Sequence, residues 1–318
     1  MSELESLHFQ SVSFTGLAPD ARLIVLGAVH GNETCGTRAI RRVIAEIESG
    51  QLAIVAGSVT FVPVTNPLAH ARRQRMGDRN LNRNLAPTDT PAEFEDRIAN
   101  WLCPLLSQHD ALLDLHSFHT AGEPFVMLGP QDNQGTLEPF ARAAEETALA
   151  LSLGVHRFVD GWLDTYAAGV ARRLAAGVSS READVHYGVG TTEFMRARGG
   201  IALTLECGQH DDPAAPDVAY RAIRNALAQL RLSDAPTPPA VTETEALRLY
   251  WVVDRAHAED TFSCAWSSFD RIHAGDVIGT RHDGTPVVAD YDGYIVFPNP
   301  GALPGQEWFY LARNSTRV

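Results

Sequence analysis

The chain has 318 residues, with 39 acidic against 26 basic side chains and a formal net charge of −13. That balance argues against nucleic acid and membrane surfaces as partners, because both call for a basic face. The length exceeds the usual single-domain size, so one large domain with an ample core and a second small one are expected.

Leu23 to Val29 is almost wholly apolar, the pattern of a strand buried on both faces, and the polar turn Gly31-Asn32 follows it. Ala39, Ile40, Val43, Ile44 and Ile47 then recur at helical spacing, with Gly50 as a stop. Ser58 to Thr65 reads as a second strand. Thr90-Pro91-Ala92-Glu93 has the form of a capping box with proline at the first helical position, opening a helix with Phe94, Ile98, Leu102 and Leu105 on one face. Ala111 to His116 is a third strand, Gly135 to Ser152 a helix, Ile201 to Leu205 a further strand, and Val218 to Leu230 a further helix. This alternation predicts an α/β fold with a mostly parallel or mixed sheet flanked by helices.

Residues 1–232 form the expected catalytic domain, and the proline-rich stretch 233–241 reads as a linker. Leu247 to Val253, Phe262 to Ser267, Pro286 to Asp290 and Tyr294 to Phe297 look like short strands, with turns at Asp283-Gly284 and Asp292-Gly293. They predict a small C-terminal all-β domain over 242–318. Cys35, Cys103, Cys207 and Cys264 are too few and too scattered for a disulfide framework. The opening Met-Ser-Glu-Leu-Glu-Ser lacks basic and apolar leader regions, so a cytoplasmic protein with reduced thiols is expected, its oligomeric state, homo-oligomer included, left open.

Three strand ends carry the chemistry. His30 and Glu33 form a His-x-x-Glu pair, His116 follows another strand, and Glu206 ends a third. Two histidines and one carboxylate make a catalytic zinc set that leaves a position open for water, and Glu206 remains as the carboxylate that moves protons. The expected cofactor is one Zn2+ per chain. His119 and His210 lie within four residues of these positions and are read as surface or supporting residues. Between Asn66-Pro67 and Arg83, five arginines fall in twelve residues (Arg72, Arg73, Arg75, Arg79, Arg83), a local positive wall suited to an anionic substrate, with Arg72, Arg73 and Arg79 read rather as solvated or paired with surface acids.

His30-Gly-Asn-Glu33, Asn66-Pro67 through Asn82-Arg83, Asp114-Leu-His116, Leu205-Glu206 and the later Ile295-Val-Phe-Pro-Asn-Pro300 together resemble the succinylglutamate desuccinylase and aspartoacylase family, a branch of the zinc carboxypeptidase-like fold. The resemblance implies zinc held by His30, Glu33 and His116, with Glu206 as general base and acid. It implies that Arg75, Asn82 and Arg83 receive the substrate carboxylate, that Arg196 stands near the acyl group, and that the β-rich tail narrows access. Asn80 replaces an acid of the family pattern, and Leu303 lies near the place of a tail tyrosine. The expected activity is zinc-dependent hydrolysis of the amide of a small anionic N-acyl amino acid. A metallocarboxypeptidase and a non-catalytic binding protein for an acidic metabolite are the competing readings.

Overall fold

The computed structural model describes residues 7–177 and 183–318; the opening hexapeptide read above for a leader lies outside them. The elements run β1 (Val12–Thr15), β2 (Ala18–Gly27), α1 (Cys35–Glu48), β3 (Ala56–Val62), α2 (Pro67–Arg72), α3 (Phe94–Leu106), β4 (Ala111–Phe118), β5 (Phe125–Met127), α4 (Ala143–Ser152), β6 (Arg157–Asp160), α5 (Trp162–Ala175), α6 (Thr191–Ala197), β7 (Ile201–Gln209) and α7 (Ala215–Gln229). The C-terminal part follows as β8 (Glu245–Asp254), β9 (Thr261–Phe262), β10 (Arg271–Ile272), β11 (Val277–Thr280), β12 (Pro286–Val288), β13 (Gly293–Val296) and β14 (Glu307–Asn314).

Among the described residues one mixed sheet of eleven strands runs in the order β1-β3-β2-β4-β7-β5-β6-β8-β14-β13-β10, and β12-β11-β9 form a small separate antiparallel sheet. The central strands β3, β2, β4 and β7 are parallel. Both faces are covered, which explains their continuous apolar runs. Along β2, Leu23 and Val25 pack with α1, α4 and α7, while Ile24 and Leu26 pack with α3 and α6. All four are fully buried, each contributing about 1.5–3 kcal/mol relative to exposure.

Several expected elements are shorter or displaced. The helix read from Gly135 begins only at Ala143. Pro139 cannot continue a helix, and Asn133 and Phe140 instead pair their backbones in an isolated bridge. The expected capping box at Thr90–Glu93 does not start α3; Asp78 accepts the Phe94 amide and Asp96 accepts those of Ala92 and Glu93, so the helix opens at Phe94. Of the strand read over Phe262–Ser267 only Thr261–Phe262 is extended; beyond it Trp266 Nε1 donates to the Ile278 carbonyl and Ser267 N to Asp270.

Across the proline-rich stretch the chain is irregular, as expected. The main sheet nevertheless continues beyond it, because β8 pairs in parallel with β6 and antiparallel with β14. The C-terminal strands therefore belong in part to the same sheet as the N-terminal ones. Cys35, Cys103 and Cys207 are buried free thiols and Cys264 is exposed. No helix among the described residues is long and apolar enough to cross a membrane.

The arginine-bearing loop after α2 is held by one buried carboxylate on α3. Glu95 accepts the backbone amides of Gly77 (2.9 Å), Asp78 (3.1 Å) and Arg79 (3.1 Å) and the side-chain amide of Asn66 (2.8 Å). Asn66 in turn caps α2 through the Ala69 amide. Gly77 allows the approach, since a Cβ there would lie 2.6 Å from Glu95 Oε1. Glu95→Gln replaces one acceptor oxygen with a donor facing donors. It should cost on the order of 2–4 kcal/mol in urea unfolding, the scale of buried hydrogen bonds to a charged group. An unchanged unfolding midpoint would show that the loop is fixed by other contacts.

Candidate metal centre and active site

His30 to Glu33 fill the turn between β2 and α1. The turn is set by two local constraints. Ala28, fully buried at the end of β2, takes φ 48°, a left-handed conformation costing about 1–2 kcal/mol for a residue with a Cβ. Gly31 then packs on the backbone of α2, where a Cβ would stand 2.0 Å from the Ala69 carbonyl carbon. The turn so placed points both His30 and Glu33 inward, 3% and 1% exposed.

His116 arrives from β4, whose residues alternate between the two cores: Leu113 and Leu115 on one side, Leu112, Asp114 and His116 on the other. Parallel pairing sets Gly27 of β2 beside Leu115, and His116 beside Glu206 of β7. Three neighbouring strands thus deliver their end residues to one place. His30 Nδ1 and His116 Nδ1 each lie 2.9 Å from a different oxygen of Glu33, and the two imidazole rings meet edge to face with centroids 5.0 Å apart. One donor atom from each of His30, Glu33 and His116 falls within 4.8 Å of the others.

The donor set fits a divalent metal of borderline hardness. It offers two imidazole nitrogens and one carboxylate, all buried, as in catalytic zinc sites. Three further buried polar atoms beside it lack hydrogen-bond partners: Glu206 Oε2, His116 Nε2 and Asp114 Oδ1. His116 Nε2 lies 3.0 Å from Asp114 Oδ2 without hydrogen-bond alignment, and Thr191 Oγ1 donates to that same oxygen. Asp114 stands directly behind the His116 ring.

The electrostatics divide the groups. Burial lowers the His30 pKa to about 4, with Arg75 acting in the same direction, so that imidazole is neutral and free to ligate. His116 goes the other way: the carboxylates of Asp114 and Glu33 outweigh burial and raise it. Glu33 is buried, yet the two histidines hold its pKa well below the ordinary range. Glu206 is pushed up to about 8 by burial, with Glu33 and Asp114 adding to the rise and His116 and Arg75 opposing it. Two buried carboxylates a strand apart therefore have opposite tendencies, one anionic and one ready to carry a proton.

A cavity of about 710 Å³ opens over these groups; Arg75, Asn82, Arg83 and Arg196 reach its wall, whereas Arg72 and Arg73 do not line it. Their engagements differ. Arg75, half exposed, donates to Glu33 Oε1 at 3.0 Å. Asn82 uses Oδ1 to accept the Thr191 amide at the start of α6. Arg83 stacks over the Trp162 ring at 4.6 Å. Arg196 is buried in α6 and its guanidinium is taken up by Glu146 (2.8 Å), Glu138 (3.0 Å) and the Ala202 carbonyl (2.7 Å). Arg79 is likewise held by Asp96 and by the Asn80 and Arg83 carbonyls.

His119 and His210 also line the cavity. His119 Nε2 donates to the Pro298 carbonyl, and His210 Nδ1 is hydrogen-bonded to Ser117 Oγ at 2.8 Å. Sequence reasoning missed two contributions. Asn80, seen only as a departure from the family pattern, places Oδ1 3.0 Å from His30 Nε2 and fixes that ring. Trp162, Glu307 and Tyr310 enter the wall from α5 and β14. The strand β14 is not among the expected ones, and nothing in its nearly continuous apolar run at 308–312 signals proximity to Arg83.

Comparison with known proteins agrees with this geometry. The succinylglutamate desuccinylase/aspartoacylase catalytic domain model matches residues 19–230. A search of curated proteins found no significant match. Among solved structures, a succinylglutamate desuccinylase/aspartoacylase from Rhodobacter sphaeroides superposes with a TM-score of 0.72 at 17% identity, covering 97% of this chain and 90% of that one. A succinylglutamate desuccinylase from Vibrio cholerae gives 0.71 at 19% identity, over 96% and 85% of the two chains. The product-bound ectoine utilization protein EutE (DoeB) from Ruegeria pomeroyi gives 0.70 at 17% identity, over 95% and 88%. At such identities the structures establish a shared fold, while the domain match spans most of the chain: the protein belongs to the succinylglutamate desuccinylase/aspartoacylase family of deacylases.

Proposed function

We propose that the protein is a zinc-dependent deacylase that hydrolyses the amide of a small N-acyl amino acid bearing a carboxylate. The observation that carries this reading is the meeting of His30, Glu33 and His116 at one cavity floor with a buried, unpartnered carboxylate, Glu206, on the adjoining strand. A binding protein needs the first three at most; it has no use for a proton carrier.

When bound by His30, Glu33 and His116, zinc supplies Lewis-acid polarisation of the carbonyl and an acidified water. Glu206 takes the proton of the attacking water and returns it to the leaving nitrogen, and the burial that raises its pKa suits the proton-holding half of that task. Asn80 holds the His30 imidazole in place, and Asp114 stands behind that of His116. Arg83 offers a planar fork for the substrate carboxylate. The C-terminal residues Phe297, Asn299, Gln306, Glu307 and Tyr310 close one side of the cavity, which favours a small substrate over an extended peptide.

Replacing His116 by alanine should remove most bound zinc from the dialysed protein, read by elemental analysis. Retention of a full equivalent would mean that another residue holds the metal. Glu206→Gln keeps the shape but not the basicity of the side chain. Release of free amine from a panel of N-acetyl, N-succinyl and N-formyl amino acids should fall by about two to four orders of magnitude, with zinc content unchanged. Joint loss of zinc and turnover would reassign Glu206 as a ligand.

A further inference from the structure

The part of the cavity wall around Trp162 is built differently from a plain carboxylate clamp. Arg83, its side chain 12% exposed, lies over the indole at 4.6 Å, and the Tyr310 ring packs on the same indole with centroids 5.6 Å apart. Glu307 Oε1 stands 3.7 Å from the Arg83 guanidinium, close enough to pair electrostatically but too far to be hydrogen-bonded to it. The Tyr310 hydroxyl is buried and has no hydrogen-bond partner, although a buried phenol ordinarily finds one. Strict alternation along β14 would send residues 307 and 310 to opposite faces. The pairing with β8 shifts between Glu307 and Phe309, and this irregularity lets both side chains face the cavity.

A cation, an anion and an unsatisfied hydroxyl are thus held side by side on an aromatic floor. A substrate with a second carboxylate at this wall meets the like charge of Glu307. A substrate presenting one carboxylate and one ammonium on the same carbon satisfies Arg83 and Glu307 together. We propose that Arg83 and Glu307, beside the aromatic floor of Trp162 and Tyr310, form a receptor for the zwitterionic head of an α-amino acid, so that the scissile acyl group is carried on a side-chain nitrogen. This inference rests on the deacylase reading above and narrows it to ω-N-acyl diamino acids. Hydrolysis breaks the side-chain amide C–N bond and forms a C–O bond from water. Both protons of the water end on the departing nitrogen, giving the acyl carboxylate and the diamino acid with its side-chain nitrogen as an ammonium.

Positional isomers provide the test, since they share composition and net charge. Nδ-acetylornithine and Nε-acetyllysine keep the two head charges on one carbon; Nα-acetylornithine and Nα-acetyllysine separate them; N-acetylglutamate has two carboxylates and no ammonium. Binding to the zinc-loaded Glu206→Gln protein is measured by calorimetry, and turnover by the zinc-loaded wild type. The ω-isomers should bind at least ten-fold more tightly than their α-isomers and than N-acetylglutamate. Adding Glu307→Gln should weaken the ω-isomers by about ten- to one-hundred-fold, the scale of a lost hydrogen bond to a charged group, while N-acetylglutamate improves.

Tighter binding of N-acetylglutamate than of the ω-isomers, or an equal effect of Glu307→Gln on all ligands, overturns the receptor. Turnover of N-acetylglutamate in that case leaves the deacylase reading standing. Conversely, preferred binding of ω-isomers that depends on Glu307, with no turnover of any amide, supports the receptor and removes the hydrolytic reading.

Discussion

Everything at the site depends on the adjacency of β2, β4 and β7 as parallel neighbours whose ends reach the same level. Parallel strands of one sheet point their carboxyl ends the same way, so residues just past those ends share a rim. Glu33, His116 and Glu206 are 83 and 90 positions apart in the chain, yet the pairing of His116 with Glu206 and of Gly27 with Leu115 makes them neighbours. A one-residue slip between β4 and β7 would turn His116 into the opposite core. The apolar side chains on both faces therefore do more than stabilise the sheet: they fix the register on which the donor set relies.

Around that rim the protein uses buried carboxylates as organisers, each with a different partner. Glu33 gathers two imidazoles, the Ser117 amide and Arg75. Glu95 gathers the amides of the loop that carries the arginines. Glu146 binds Arg196, the Gly129 amide and the Ala202 amide, tying α4 to β7. A buried charge is tolerable only when its lone pairs are occupied, and in each case backbone N–H groups supply part of that occupancy. Glu206 stands apart, with one oxygen unpartnered and its pKa raised to about 8. The contrast sets Glu206 apart from the carboxylates whose oxygens are taken up by backbone and side-chain donors.

The arginine segment shows how the same residue type takes unlike roles over a few positions. Arg79 is buried and spends its donors on Asp96 and on carbonyls of its own loop, which shapes the turn leading to Arg83. Arg75 reaches the donor set, and Arg83 reaches the aromatic floor. Arg196 is held between glutamates, so its charge is already balanced within the protein. Cavity lining by itself is thus a poor guide to substrate contact; the prior engagement of each guanidinium decides what it can offer.

The sequence by itself determined the central strands, their order of appearance, the helices at 3.6-residue spacing, and the residue types that gather at strand ends. These are local signals: an apolar run, a turn, a histidine or carboxylate just after it. The local signal of Pro139 ends any helix from Gly135, whereas the start of α3 at Phe94 rests on Asp78, which accepts the Phe94 amide from 16 positions away and which the pattern at Thr90 does not display. Only the tertiary structure decided that β8 and β14 extend the main sheet, that Glu95 anchors the arginine loop, and that Glu307 and Tyr310 stand beside Arg83. Those relations join residues from 16 to more than 220 positions apart, and a non-local contact is written in the packing of two surfaces, which no single stretch of sequence contains.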